Sequence, residues 1–134
     1  MNNMKRILFL IAIIAALSCS RVFADLSVKV DLPKQIGKKV VLKMTMKNTF
    51  KEKLESARAQ VFLMDNQGKV VGQAVRWVIG GTKDKPGLAP DAETIFNFVV
   101  ETDKPFTTNK LSFTRVILEG GKLVNVNETV KIQN

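Results

Sequence analysis

Lys29, Lys39, Lys43 and Lys47 are the residues whose type and spacing point most directly to a chemistry. Each occupies an outward position of an extended segment in which apolar and polar residues alternate, and successive side chains of a strand point to opposite faces. If the two segments pair, the four lysines gather on one surface, joined by Lys34, Lys38, Lys51 and Lys53 from neighbouring turns. Such a surface attracts anions: phospholipid headgroups, lipopolysaccharide or another polyanion. The plainer use of lysine on a solvent face is to keep a sheet soluble and its edges unpaired. The basic stretch is poor in arginine and has only Phe50 as an aromatic, so it offers neither bidentate phosphate clamps nor stacking platforms. Nucleic acid is therefore not an expected partner.

Other chemistries lack their residues. The chain contains no histidine and no tyrosine. Histidine is the side chain that titrates near neutrality and the commonest metal ligand, so catalysis by Ser-His-Asp or Cys-His sets and ordinary zinc sites are excluded. Asp84, Asp91 and Glu93 lie in or beside a long loop without the alternating acidic spacing of a calcium loop. No catalytic residue, metal or cofactor is expected. Trp77, the one tryptophan, is expected in the core with Phe96, Phe98 and Phe113. Phe62 and Met64 fall on the outward side of their segment, which fits either an exposed contact patch or a central strand covered on both faces.

The N-terminus reads as an export signal. Lys5 and Arg6 precede an unbroken apolar run from Ile7 to Leu17, and Val22-Phe23-Ala24 has the small-x-small pattern of a cleavage site. The run is too short to span a bilayer, which takes about 20 residues. Residues 1–24 are read as a signal peptide cleaved between Ala24 and Asp25, leaving a single domain at 25–134. The alternative is a lipoprotein anchored at Cys19, although Ala16 and Leu17 fit that signal poorly. Cleavage at Ala24 removes the only cysteine, so the domain holds together by its core without disulfides. The chain is basic, with a formal net charge of +9.

The elements that must position these residues are strands. Leu26, Val28, Val30 and Leu32 alternate with polar residues, as do Val40, Leu42, Met44 and Met46. A third strand is expected at about 56–64, closed by the hairpin sequence Asp65-Asn66-Gln67-Gly68-Lys69, with its partner at 70–79. Residues 80–91, rich in glycine and proline, form a loop long enough to cross between sheets. Phe96, Phe98 and Val100 mark another strand. The last pair, 111–118 and 123–132, is joined by Glu119-Gly120-Gly121-Lys122. Between Phe113 and Val116 the apolar phase shifts, which predicts a β-bulge near Thr114 or Arg115. No helical segment is expected. About seven short antiparallel strands in a chain of this length is the pattern of an all-β, immunoglobulin-like sandwich.

The segment from Val41 to Val100 resembles the small FxLYD-type, immunoglobulin-like domains of bacterial envelope proteins. The matching pieces are Lys47-Asn48-Thr49, Val61-Phe62-Leu63-Met64-Asp65, Gly68-Lys69-Val70-Val71-Gly72, and Leu88-Ala89-Pro90-Asp91 ahead of Phe96 and Phe98. The departures are Val61 for Phe, Met64 for Tyr and Asp91 for Gly. The resemblance implies the same fold, no enzymatic activity and no common ligand. The functional expectation is a periplasmic or secreted, non-catalytic binding module that meets another envelope protein through a sheet edge or face. The alternative is a binder of an anionic envelope component through the lysine face. The sequence leaves the oligomeric state open.

Overall fold

The computed structural model describes residues 25–134. Ala24, the expected cleavage residue, and Cys19, the alternative lipidation site, lie outside them. The alternating segments form strands β1 (Leu26–Val30), β2 (Lys34–Ile36), β3 (Lys39–Asn48), β4 (Leu54–Met64), β5 (Val70–Ile79), β6 (Glu93–Glu101), β7 (Thr108–Leu118), β8 (Lys122–Leu123) and β9 (Val130–Gln133). A single helical turn, α1 (Val126–Thr129), precedes the last.

The strands make two sheets. In the first, β3 pairs with β6 along one side, and with β2 and then β1 along the other. Strand β9 lies beside β1, parallel to it. The second sheet has the order β5-β4-β7-β8, all antiparallel. Between the sheets lies one core: Leu26, Val28, Val40, Leu42, Met44, Met46, Phe98 and Val100 from the first, against Leu54, Ala57, Ala59, Val61, Leu63, Phe113, Val116 and Leu118 from the second. The chain is an all-β, immunoglobulin-like sandwich, as the alternation implies.

Polar groups at the ends of the sandwich are fully engaged. Asn48, completely buried, ends β3 and donates from Nδ2 to the carbonyls of Glu52 (3.1 Å) and Leu88 (2.9 Å). Its Oδ1 accepts the Phe50 N–H at 2.8 Å. One side chain thus shapes the β3–β4 connection and ties the loop before β6 to it. Leu88 in that loop pairs with Leu54 and carries the crossing from the second sheet back to the first. At the other end Thr102 Oγ1 donates to Val71 O at 3.0 Å, joining the end of β6 to the start of β5.

The 65–69 hairpin forms as its residues predict: Asp65 Oδ1 accepts from the N–H groups of Gln67 and Lys69, and Gly68 takes φ +77°. The bulge in β7 is also where the phase shift places it. Ala59 pairs with Phe113 and Arg58 with Arg115, so Thr114 is the extra residue and Phe113 and Val116 both reach the core.

Three expectations need correction. Among the described residues nine strands form where about seven were expected: Lys34–Ile36 pairs with the start of β3 instead of remaining a turn, and the last expected strand is split in two. The expected 123–132 strand divides into β8, α1 and β9. Asn125 causes the break: its side chain accepts the Asn127 N–H at 3.0 Å, and its carbonyl accepts the Thr129 hydroxyl, capping a helical turn. Trp77 is not in the core. A register shift in β5 opposite Ala57 and Arg58 makes Val78 the extra residue, so Val78 and Ile79 are both buried and Trp77 turns to the outer face.

Candidate functional site

The outer face of the first sheet carries the predicted lysines. In β3 the buried residues Val40, Leu42, Met44 and Met46 alternate with Lys39, Val41, Lys43, Thr45 and Lys47, which point outward. Lys29 lies opposite Thr45, so Lys29, Lys39, Lys43 and Lys47 share this face. Lys34, paired with Val41, and Lys131, paired with Ser27, extend it. Its charge is divided, however. Glu93 stands opposite Lys47 and Glu101 opposite Lys39, at the two ends of β6. Ile95 and Val99 lie exposed between them.

The second sheet presents a different outer face, built row by row from the register of β4. Arg58 is flanked by Trp77 and Arg115, Gln60 by Val75 and Ser112, Phe62 by Gln73 and Lys110, and Met64 by Val70 and Thr108. Not one residue in these rows is a carboxylate. Phe62, Met64 and Trp77 are half-buried, and Val70 and Val75 exposed. Strand β4 is therefore central, yet no element among the described residues covers its outer face.

Arg58 makes both a side-chain hydrogen bond and a cation–π contact on that face. Two register shifts flank it, one toward β5 and one toward β7. The first aims Trp77 outward, and the second supplies Thr114, whose Oγ1 accepts from Arg58 Nε at 3.1 Å. The guanidinium lies 5.7 Å from the centre of the Trp77 ring. Gly81 packs against the indole so closely that a Cβ there would come within 2.3 Å of Cδ2, and Lys85 Nζ donates to the Trp77 carbonyl at 2.7 Å. A cation resting on an aromatic ring, with its own position fixed by a neighbour, presents a rigid amphipathic surface. Bulges recur where a strand must re-aim a side chain for function.

The sequence reading identifies the lysine face, raises Phe62 and Met64, and names Thr114 and Arg115 as the place of a bulge, but it misses Arg58 and the outward position of Trp77. The signal available for the second group is the Phe113–Val116 phase shift, which locates one of the two bulges. Among the described residues no three His, Cys, Asp or Glu side chains are placed to hold a metal, and every buried side-chain nitrogen and oxygen has a hydrogen-bond partner.

No protein-family model matches the chain, and no curated protein matches it in sequence. Solved structures do share its fold. Escherichia coli IrmA superposes with a TM-score of 0.54 at 11% identity, covering 84% of this chain and 93% of that one. A Bordetella pertussis protein described as ApaA gives 0.53 at 18% identity, over 75% of this chain and 85% of that one. The structural-genomics target SoR45 gives 0.51 at 14% identity, over 78% of each. At these identities the likeness establishes a small β-sandwich domain and nothing finer.

Proposed function

We propose that this chain is an exported, non-catalytic binding module that meets another protein of the cell envelope through the outer face of its second sheet. The observation that carries the reading is the pair of bulges around Arg58, which together bring Thr114 and Trp77 against its guanidinium, on the face that holds Phe62 and Met64. Tryptophan and arginine are the side chains most enriched among residues that dominate binding energy. The absence of carboxylates from these rows defines the partner's chemistry: an acidic protein surface that also offers apolar side chains. The basic start, apolar run and Val22-Phe23-Ala24 site support export with cleavage before Asp25.

Co-isolation of the exported protein with its partner tests this. Reversing charge in an R58E variant abolishes the complex, and K43Q, on the opposite face, leaves it intact. Equal loss in both variants refutes the assignment to this face.

A second reading rests on the shared face of Lys29, Lys39, Lys43 and Lys47 and takes an anionic envelope component as ligand. It requires binding that weakens steeply as salt is added and that fails in K43Q but not in R58E.

A further inference from the structure

Most edges of this sandwich carry devices that discourage pairing with another chain. Strands β2, β8 and β9 are short, and β9 carries Lys131. Strand β5 is broken by two register shifts and bears Arg76. Short strands, bulges and charged side chains are the usual means of blocking edge-to-edge association. Strand β6 carries such charges only at its two ends, Glu93 and Glu101: its nine residues pair with β3 in one unbroken register, and between those carboxylates the sequence contains no proline, charged residue or bulge. Among the described residues no strand pairs with its other side.

The phase of that edge is fixed. Thr102 N–H donates to Lys38 O at 2.8 Å and Asn48 N–H to Ala92 O at 3.0 Å, one bond at each end of the ladder. The even-numbered residues between them aim their backbone groups at β3, and Ile95, Asn97 and Val99 aim theirs outward. Strand β5 and the loop after it approach β6 from the other sheet: Gly72 packs against the Glu101 carbonyl, Thr102 bonds Val71, and Lys85 Nζ lies 4.8 Å from the centre of the Phe96 ring, but no backbone ladder joins β5 to β6.

From this arrangement we infer that the free edge of β6 pairs antiparallel with the same edge of a second copy, about a two-fold axis at Asn97. The strand is self-complementary in that register. Ile95, 56% exposed, comes opposite Val99 of the second copy, itself 37% exposed, so both apolar side chains are covered twice over by symmetry. Asn97 meets its own equivalent. At the margins Glu93 faces Glu101 of the second copy, and each carboxylate keeps a lysine behind it, Lys47 and Lys39 respectively. The joined edges make one continuous sheet across the dimer. The contact is small, so the dimer is weak and depends on concentration.

Sedimentation equilibrium on protein recovered from bacteria exporting the full-length chain tests the inference. The expected result is a monomer–dimer equilibrium that shifts with concentration. It is lost in N97P, whose missing N–H is one that faces away from β3, and in I95K, which keeps the strand and puts a charge into its apolar centre. Register is read from disulfides in a C19S background. Opposed residues of a hydrogen-bonded antiparallel pair lie about 5.5 Å apart at Cα, within disulfide reach. N97C therefore crosslinks on oxidation and I95C does not. A monomer at every concentration, a dimer insensitive to both edge variants, or I95C crosslinking in preference to N97C overturns it. None of these outcomes bears on the face around Arg58, which lies on the other sheet.

Discussion

The guanidinium of Arg58 rests 5.7 Å from the ring centre of Trp77, held there by Thr114 across the neighbouring strand. Removing either side of this contact has a defined cost. Arg58→Ala lowers stability by about 0.5–1 kcal/mol, the worth of a cation–π contact at a partly exposed site. Because Trp77 is the only tryptophan, its fluorescence reports the row directly: emission changes in Arg58→Ala and, less, in Thr114→Ala, with thermal unfolding measured alongside.

Gly81 sets the same ring from the loop. It has φ +82°, and a Cβ would lie 2.3 Å from Trp77 Cδ2. Gly81→Ala is expected to destabilise by more than about 1 kcal/mol and to shift the tryptophan emission, since the indole must move. Gly68→Ala, where a Cβ meets nothing within 4 Å, leaves the emission unchanged.

Asn48 carries a larger share of the fold. Asn48→Ala strands the buried Phe50 N–H and the part-buried Glu52 carbonyl and leaves the Leu88 carbonyl with the Leu54 N–H alone, and a buried group left unpaired costs about 1–3 kcal/mol. Urea unfolding of this variant shows a midpoint well below that of the parent. An isosteric Asn48→Leu does not restore it, because what is lost is hydrogen bonding and not volume.

The core and the free edge respond differently to the same kind of truncation. Phe98, fully buried, is expected to cost about 3–5 kcal/mol on replacement by alanine. Ile95→Ala, two strand positions from the end of β6 and mostly exposed, stays within about 0.5 kcal/mol in the monomer. Thermal melts at low protein concentration make the comparison.

Much of this architecture is legible in the sequence, and what is not has a common cause. Alternation along Val40–Lys47 places Lys39, Lys43 and Lys47 on one face, and Asp65–Lys69 specifies its own hairpin, because both depend on neighbouring residues alone. The bulge at Thr114 is visible because two core residues, Phe113 and Val116, are out of phase across it. The bulge at Val78 leaves no such mark: Trp77, Val78 and Ile79 are all apolar, and only pairing with Ala57 and Arg58 decides which of them turns outward. The parallel contact of β9 with β1 joins strands about a hundred residues apart in sequence, and the pairing of Lys34–Ile36 depends on where β3 begins. Those relationships are set by tertiary register, to which local pattern is blind. The acid-free rows around Arg58 were hidden for the same reason, since they combine residues from three strands.

The central claim, that a protein partner binds the outer face of the second sheet, is tested most directly by a photo-crosslinking residue placed at Gln60 in the exporting host. Gln60 lies between Val75 and Ser112 in the middle of that face. The expected result is one discrete adduct from position 60, lost when R58E is added, and none from Thr45 on the opposite sheet. No adduct from position 60, or an adduct from position 45 alone, contradicts the account and transfers the binding role to the lysine face.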